Sequence, residues 1–376
     1  MTIVKLMHTA DVHLDALNRS LGDRAAELRA RTWEAWERAL DLAIDREVDL
    51  LIVAGDLFDT DTPPRATIDR ALRGVDRIAG ASIDVALLPG THDCWRDAGL
   101  WSSPRMRALP ENVHLLAARE PITVPLPHLD AAIHGCAHRC GARDQRPLCD
   151  LRADPDAAIN IAVAHASLDR GDVEDSALFS SDEVAATGMD YVALGHWHSW
   201  QDMSAGEATA VLPGSIEVPG FGVWETGSVA LVTLGDGPAG VERVEVGSMR
   251  SRELAIDAGD LRGTEDLIAR IEEQADPDLL LAVELTGLAP PGVMPDIESA
   301  LERLEGAFFA LRIRDASRPA VTDLTDEHLD DRLTLGRFVE LARERIEGAA
   351  DEHQRDVAER ALQIGVSMLR QSGDGQ

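Results

Sequence analysis

Residues 50–59 read LLIVAGDLFD, an apolar run that leads into a glycine and two aspartates. A short apolar run bounded by a turn residue is typical of a buried strand. A similar run, IVKLM at residues 3–7, precedes it, and residues 24–46 between the two carry Ala, Leu, Trp and Arg at helical spacing. This alternation predicts a strand, a helix and a second strand, the unit from which α/β proteins are built.

The same pattern continues along the first two thirds of the chain. Further apolar runs lie at 83–88, 131–134, 159–164 and 190–194, and each ends in polar and small turn residues. In α/β proteins, the loops at the carboxyl ends of strands carry functional groups. Residues 211–234 are rich in strand-forming residues and Gly turns, so we expect the sheet system to become mixed or doubled there.

From about residue 250 the pattern changes. Strand-like and helix-like segments then alternate: RELAID (252–257), 264–275, LLLAVELTG (279–287), 295–305 and FFALRIRD (308–315). This β-α-β-α-β order spans the length of a small independent domain. After Pro319 we expect two amphipathic helices, at about 333–347 and 352–370.

Composition and charge bound the class of protein. A chain of 376 residues with 45% hydrophobic residues can form two domains with a folded core. The balance of 36 Lys and Arg against 67 Asp and Glu gives a net charge of −31, which repels a polyanion such as DNA. Contact with nucleic acid would therefore need local positive charge, a bound metal or a partner.

The compartment is predicted from the N-terminal stretch and the cysteines. MTIVKLMHTADVHLD has no apolar core of the signal-peptide type, and no apolar run is long enough to span a bilayer. We therefore expect a cytoplasmic protein without membrane contact. The four cysteines do not predict a disulfide framework in a chain of this size, so a reducing compartment is expected: Cys94, Cys136, Cys140 and Cys149.

The stretch HGCAHRC, residues 134–140, raises the question of a zinc site. Its ligands recur at every second residue, which does not match the usual Cys/His spacing and cannot by itself surround a tetrahedral ion. We interpret these residues as ordinary members of a strand and the following loop, and keep a structural zinc as the weaker alternative.

Five short stretches after apolar strands carry acidic and histidine side chains: ADVHLD (10–15), AGDLFD (54–59), PGTHD (89–93), AHAS (164–167) and LGHWH (194–198). On an extended backbone, Asp11 and His13 point to the same side, and so do His196 and His198. Imidazole and carboxylate ligands together suit Mn²⁺, Fe²⁺ or Zn²⁺. A shared carboxylate, for which Asp56 is the candidate, can hold two such ions around one phosphoryl group.

The ordered set D-x-H, G-D-x-x-D, G-T-H-D, H and G-H-x-H resembles the calcineurin-like metallophosphoesterases. HTADVHLD (8–15) and GDLFDTDTPP (55–64) resemble more narrowly the SbcD-type DNA repair exonucleases. The resemblance implies an α/β sandwich of two mixed sheets flanked by helices. It implies a catalytic domain over 1–247, a small α+β capping domain over 248–320 and a helical C-terminal segment over 321–376.

The resemblance also implies the residue roles. It places Asp11, His13, Asp56 and His198 on a first metal ion, and Asp56, Thr91, His165 and His196 on a second. His92 would contact the phosphate as general acid or transition-state stabiliser, and Asp59 would orient it. The ion in this family is usually Mn²⁺. Trp197, inside the G-H-x-H loop, is expected to neighbour the substrate.

Thr91 departs from the family pattern, which has Asn at this position. An amide oxygen is a neutral metal ligand, whereas a Thr hydroxyl is shorter and a poorer donor. We therefore expect the second ion to bind more weakly and the enzyme to be weakened but active.

The function implied is that of a two-metal DNA phosphodiesterase in DNA repair. It would be a Mn²⁺-dependent 3′→5′ exonuclease, with single-strand endonuclease activity in addition. The family works with a long coiled-coil ATPase of the structural-maintenance (SMC) type and forms homodimers. Lys5 is the only lysine and no Gly-rich loop ends in Gly-Lys-Ser/Thr, so the ATPase would be a separate subunit.

Two alternatives stay open. One is a phosphoesterase for a small molecule or a phosphoprotein on the same site. The other is a subunit that binds DNA ends or a partner and whose metal site has decayed at Thr91.

The C-terminal helices allow two interpretations of their apolar residues, either packing within their own domain or docking a partner. The residues concerned are Leu335, Phe338, Val339, Ala342, Ile346, Val357, Leu362, Val366 and Leu369.

Overall fold

The computed structural model describes residues 3–171, 175–290, 293–319, 334–349 and 351–373. The chain divides into two compact units, one up to Ser251 and one from Arg252 onwards. The predicted boundary after residue 247 lies close to this division. The second predicted boundary, at 320, lies outside the described residues.

In its described residues, the first unit has fourteen strands and three α-helices. Its strands are β1 (Val4–Thr9), β2 (Leu50–Ala54), β3 (Asp84–Leu88), β4 (Val113–Leu115), β5 (Ile122–Leu126), β6 (Ala131–Cys136), β7 (Ile159–His165), β8 (Ser167–Leu168), β9 (Leu178–Phe179), β10 (Tyr191–Gly195), β11 (Gln201–Asp202), β12 (Thr209–Leu212), β13 (Ser228–Leu234) and β14 (Gly240–Glu245). Its helices are α1 (Ala25–Asp45), α2 (Arg65–Gly80) and α3 (Ser181–Ala186). The strand-helix-strand unit predicted at the start of the chain is β1, α1 and β2.

Two six-stranded sheets form the centre of the first unit, and β8 and β9 form a separate two-stranded sheet. The first has the order β14-β13-β1-β2-β3-β4, with β1 to β4 parallel and β13 and β14 antiparallel. The second has the order β11-β12-β10-β7-β6-β5, in which β5 and β11 are antiparallel to their neighbours. The predicted architecture of two mixed sheets flanked by helices is confirmed.

The central strands are apolar throughout because both faces of each sheet are covered. One core lies between the sheets and joins Leu6 and Ile52 of the first to Ile161 and Tyr191 of the second. A second core lies under α1 and α2 on the outer face of the first sheet, with the Trp36 side chain fully buried in it. A third covers the outer face of the second sheet.

The parallel strands determine where the functional loops meet. Strands β1, β2 and β3 run side by side in one direction, and β7 and β10 do the same in the second sheet. Because parallel strands end at the same edge of a sheet, the residues that follow them are brought together. All five predicted stretches begin at such strand ends.

The second unit starts within β15 (Arg250–Asp257) and, over the residues that the structure describes, has a small main sheet and four α-helices. Its elements are α4 (Thr264–Glu272), β16 (Asp276–Thr286), β17 (Leu288–Ala289), α5 (Ile297–Arg303), β18 (Phe308–Asp315), β19 (Arg318–Pro319), α6 (Thr334–Glu347) and α7 (Glu352–Gly373). Its main sheet has the order β15-β16-β18, with β16 and β18 parallel. Apolar residues of α4 and α5 pack on one face of this sheet.

The α6 and α7 helices pack against each other. Val339, Leu362 and Val366 are buried in a common cluster, with Phe338, Ala342 and Ile346 at its margin. These apolar residues therefore serve packing within the unit, whereas Val357 is 55% exposed. The side chains of Leu335 and Leu369 lie outside the described residues, and docking of a partner on these helices stays a prediction.

The structure contains a disulfide that the sequence analysis did not expect. Cys94 and Cys140 are bonded, with 5.0 Å between their Cα atoms, while Cys136 and Cys149 are free. The expectation that the cysteines form no disulfide is therefore wrong for this pair. Among the described helices, none is both long and apolar enough to cross a membrane.

Candidate metal centre

The loops after β1, β2 and β10 bring together a first group of nitrogen and oxygen donors. His13 Nε2 lies 3.2 Å from His198 Nε2, 3.9 Å from Asp11 Oδ1 and 3.8 Å from Asp56 Oδ2. Both carboxylates are almost fully buried. These four residues are the set predicted for the first metal ion.

A second group lies on the other side of the two carboxylates. His165 Nε2 is 3.1 Å from Asp56 Oδ2, 3.9 Å from Asp11 Oδ1 and 3.3 Å from His196 Nδ1. The other nitrogen of His165, Nδ1, is 2.9 Å from the Ala54 carbonyl oxygen, which leaves Nε2 directed at the group. The carboxylates of Asp11 and Asp56 are therefore shared by the two groups, and that of Asp56 is the nearer to His165.

The spacing of the donor atoms fits divalent ions. Ligand atoms at about 2.1 Å from one ion lie about 3.0 Å apart at right angles and about 4.2 Å apart when opposite. The separations in both groups, 3.1–3.9 Å, fall within this range. Asp11, His13 and His198 form one cluster able to hold an ion, and Asp11, Asp56 and His165 form another. Mixed imidazole and carboxylate donors suit Mn²⁺, Fe²⁺ or Zn²⁺.

The backbone of the site is unusual. Asp11, His13, Asp56 and His196 have φ angles of 50°, 49°, 52° and 111°. Left-handed backbone is uncommon in residues other than Gly, and it concentrates at functional sites. The prediction that Asp11 and His13 share a side because their backbone is extended is wrong, since both residues lie beyond the end of β1. Their side chains meet through the turn instead.

Two glycines of the motifs are required by close approach. A Cβ atom on Gly90 would collide with the side chain and backbone of Asp56, and one on Gly195 would collide with the Ala54 carbonyl oxygen. The loops can therefore close around the donors only because these positions lack a side chain.

The Thr91 side chain faces the second group. Its hydroxyl donates to Asp56 Oδ2 at 3.1 Å and lies 3.4 Å from His165 Nε2. The residue that replaces the family's Asn therefore has its oxygen among the second set of donors, at distances that ligands of one ion would have.

His92 and Asp59 lie at the exposed side of the site. The His92 amide donates to Asp56 Oδ1 at 2.8 Å, and His92 Nδ1 lies 3.5 Å from Asp59 Oδ1 and 3.2 Å from its carbonyl oxygen. The hydrogen bond to Asp59 raises the pKa of His92 to about 9 against the opposing effect of burial. Burial raises the pKa of Asp59, but its hydrogen bonds with His13 and His92 outweigh this and hold it below the usual range.

The histidines inside the site differ in their proton affinity. Burial lowers the pKa of His165, but the charge of Asp56 and its hydrogen bond outweigh this and raise it to about 10. Burial lowers the pKa of His198 to about 4. A metal ion at the second group must therefore displace a proton from His165, whereas His198 is already neutral.

Asp175 belongs to the site although no sequence motif includes it. Its Oδ2 lies 2.7 Å from His196 Nε2 and accepts a hydrogen bond of 2.6 Å from the Ser167 hydroxyl. The contact fixes Nε2 of His196 towards Asp175 and leaves Nδ1 directed at His165. Such carboxylate partners orient metal-binding histidines. Asp175 follows no apolar run, so the sequence offers no signal for it.

A second missed role belongs to Asp93, the last residue of PGTHD. It is fully buried and accepts hydrogen bonds from the Gly90 amide at 2.8 Å and the Phe58 amide at 3.1 Å. Burial and the charge of Asp56 raise its pKa. Asp93 therefore joins the loops after β2 and β3 and is not directed at either donor group.

Trp197, which is predicted to neighbour the substrate, lies at the rim of the site with 37% of its surface exposed. Its Nε1 donates to Ser167 Oγ at 3.1 Å, and the Arg170 guanidinium lies 5.8 Å from the ring centroid. One edge of the indole is thus fixed to the residue that also binds Asp175.

The HGCAHRC stretch does not form a zinc site in the described residues. His134 is hydrogen bonded on both ring nitrogens, to Thr123 at 3.0 Å and to Asn160 at 2.9 Å. Cys140 is bonded to Cys94. The preferred interpretation as strand and loop residues agrees with these contacts, apart from the disulfide.

These features are those of a candidate site for divalent metal ions at the carboxyl ends of parallel strands, and the comparison with known families agrees. The family model described as calcineurin-like phosphoesterase matches residues 4–200. The chain belongs to this family, whose members are metal-dependent phosphoesterases that act by hydrolysis. The family predicted from the motifs is confirmed.

Three curated relatives are similar to the chain at low identity. The uncharacterized metallophosphoesterase YhaO of Bacillus subtilis is 24% identical over 80% of this chain and 76% of its own length. The DNA double-strand break repair protein Mre11 of Methanopyrus kandleri is 26% identical over 52% of this chain and 44% of its own length. Mre11 of Thermoplasma acidophilum is 23% identical over 65% of this chain and 66% of its own length. The chain thus spans less than half of the Methanopyrus protein.

Proposed function

We propose that the protein is a two-metal DNA phosphodiesterase, a Mn²⁺-dependent 3′→5′ exonuclease with additional single-strand endonuclease activity. The observation that carries the proposal is the convergence of two donor groups on Asp11 and Asp56 beside the exposed His92. The choice of DNA as substrate is supported by the similarity to two proteins named for the repair of double-strand breaks.

Each site residue has a role in this proposal. Asp11, His13, Asp56 and His198 would hold the first ion, and Asp56, Thr91, His165 and His196 the second. Two divalent ions supply a water of lowered pKa and neutralise the charge of the phosphate. Without metal, the hydrogen bond to Asp59 raises the pKa of His92 to about 9, and His92 would donate a proton or a hydrogen bond to the phosphodiester. Asp59 holds its ring in place, and Trp197 would contact the substrate at the rim.

Partners and location complete the proposal. A separate SMC-like coiled-coil ATPase would bind this subunit, two copies of the chain would form a homodimer, and the complex would act on DNA in the cytoplasm. The capping unit would help to choose which DNA ends enter the site. Support for the ATPase comes from the family resemblance of the motifs.

The test is cleavage of end-labelled linear duplex DNA across a Mn²⁺ titration. The wild type is expected to cut at raised Mn²⁺, and Thr91→Asn is expected to cut at about threefold to tenfold lower Mn²⁺ because an amide oxygen is the better ligand. His92→Ala should abolish cleavage while Mn²⁺ binding, measured by electron paramagnetic resonance, is retained. Failure of both wild type and Thr91→Asn to cut in the presence of the ATPase would contradict the proposal.

The net charge of −31 favours one competing function, a phosphoesterase for a small phosphate ester, because it opposes the approach of a polyanion. That enzyme would hydrolyse bis(p-nitrophenyl) phosphate or a monoester rapidly and leave duplex ends intact. Binding of DNA without hydrolysis of any substrate would instead favour a subunit whose catalytic site has decayed at Thr91.

A further inference from the structure

A cavity of about 350 Å³ beside the loop that carries His92 is lined by three arginines. Its walls include Trp95, Arg96, Asp97, Arg119, Arg139 and Cys140. Three guanidinium groups and one carboxylate give this lining a formal charge of +2 in a chain with a net charge of −31. No residue of the cavity belongs to the two donor groups.

The disulfide and the backbone join the two loops that form the cavity. Cys94 is bonded to Cys140, the Trp95 amide donates to the His138 carbonyl oxygen at 2.8 Å, and the Cys140 amide donates to the Trp95 carbonyl oxygen at 3.0 Å. These contacts fix the backbone of Arg96 next to that of Arg139. The position of both cations therefore follows from covalent and hydrogen-bonded structure.

The three guanidinium groups are only partly neutralised. Arg96 binds Asp61 at 2.7 Å, and Arg119, which is largely exposed, comes no nearer to Glu120 than 3.9 Å. The Arg139 side chain has no hydrogen-bond or ion-pair partner within the part of the chain that the structure describes. A guanidinium presents paired donors that match two phosphate oxygens, so an arginine in this state is suited to bind a phosphate.

The cavity is close enough to the candidate metal centre for one substrate molecule to contact both. Trp95 is three residues from His92, so their Cα atoms are at most about 11 Å apart. A nucleic acid strand rises about 3.4 Å per nucleotide, so this distance corresponds to about three nucleotides. His138, next to Arg139, approaches Ser176 at 3.4 Å, and Ser176 adjoins Asp175 at His196.

We propose that the cavity binds a non-cleaved phosphate of a nucleic acid strand whose cleaved phosphate lies at the metal centre. The proposal rests on the proposed function and specifies it, because it requires a substrate with more than one phosphate. The cavity supplies the local positive charge that an acidic chain needs to hold a polyanion near its active site.

The test compares two substrates in four variants of the full chain. Arg139→Ala and Arg119→Ala each remove one positive charge from the cavity. Arg139→Lys keeps the charge but lacks the paired donors of a guanidinium. Arg143→Ala is the matched control, because Arg143 is an exposed neighbour that does not line the cavity. For an oligothymidylate, Arg139→Ala is expected to raise KM about threefold to tenfold with kcat unchanged. For bis(p-nitrophenyl) phosphate, which has one phosphate, no variant should change KM.

Binding of a fluorescent oligothymidylate, followed by anisotropy across a salt series, separates this proposal from the proposed function. Arg139→Ala and Arg119→Ala should each reduce the magnitude of the slope of log affinity against log salt by about 0.7, whereas Arg139→Lys and the control Arg143→Ala should keep the wild-type slope. If the wild type binds the strand, the cavity variants reduce the slope as expected and no protein cuts the strand, then the proposed function is contradicted and the cavity proposal is supported. If Arg139→Ala and Arg119→Ala behave like Arg143→Ala, the cavity proposal is overturned. The proposal would also be overturned if the cavity variants changed only the inhibition by inorganic phosphate, because the cavity would then bind a free anion and not a phosphate of the strand.

Discussion

Asp175→Asn is the substitution that best distinguishes metal binding at the second donor group from metal binding at the first. The Asp175 carboxylate contacts His196 Nε2 at 2.7 Å, and both side chains are about four-fifths buried. The substitution keeps the shape of the side chain but removes the charge that favours an N–H at Nε2. The N–H at His196 Nε2 then loses its charged acceptor, so the ring is held less firmly in the tautomer that leaves Nδ1, the atom directed at His165, free to bind a metal ion.

The expected magnitude follows from this single contact. Loss of a carboxylate that orients a metal-binding histidine costs about tenfold to hundredfold in metal affinity, or about 1.4–2.7 kcal/mol. Only one of the two ions should be affected, because Asp175 touches no residue of the first group. The first ion should therefore bind as in the wild type.

Titration calorimetry with Mn²⁺ measures both affinities without relying on hydrolysis. Asp169→Asn is the matched control, since that carboxylate pairs with Arg146 at 2.6 Å and not with a histidine of the site. Ser167→Ala should have a smaller effect in the same direction, because it leaves the Asp175 carboxylate in place and removes only its hydrogen bonds with Asp175 and Trp197. Equal Mn²⁺ affinities in Asp175→Asn, Asp169→Asn and wild type would refute the reasoning.

Three further predictions concern protons and stability. Mn²⁺ that binds the second donor group must displace a proton from His165, because the pKa of this residue without metal is about 10. The affinity for Mn²⁺ should therefore rise as the pH rises from about 6 to 9. Calorimetry in buffers of different ionisation enthalpy should detect the released proton. Asp93→Ala removes two hydrogen bonds to a buried carboxylate and should cost about 3 kcal/mol, or about 6–12 °C in Tm by scanning calorimetry; an unchanged Tm would contradict its role. Reduction of Cys94–Cys140, which closes a segment of 46 residues, should lower Tm by an amount equivalent to at most about 4 kcal/mol, with Cys94→Ser insensitive to reductant.

The strands were predictable because their signal is local. LLIVA at 50–54 is apolar at every position, and β2 covers the same residues with all of them buried. The donors were predictable because each follows such a strand directly, and parallel strands bring those positions to one edge. The geometry at Asp11 and His13 was not predictable, since their left-handed backbone depends on the turns beyond β1 and not on the strand itself.

The contacts that sequence could not provide join residues far apart in the chain. Asp175 meets His196 across 21 residues, and Cys94 meets Cys140 across 46. Neither pair has a periodicity or a fixed spacing, so only the arrangement of the loops determines which carboxylate or thiol is adjacent.

The same distinction separates the reaction from the substrate. The candidate metal ligands, such as Asp56 and His165, lie at strand ends, where the fold fixes their positions, and the class of reaction can be predicted from them. Substrate choice depends on surface loops, and the net charge of the whole chain does not predict the local charge of such a loop. A chain of −31 can still present a positive cavity if one disulfide holds Arg96 and Arg139 together. If the cavity binds a strand as proposed, the few charges that the strand meets should contribute more to its affinity than the distant carboxylates, which salt screens beyond about 10 Å.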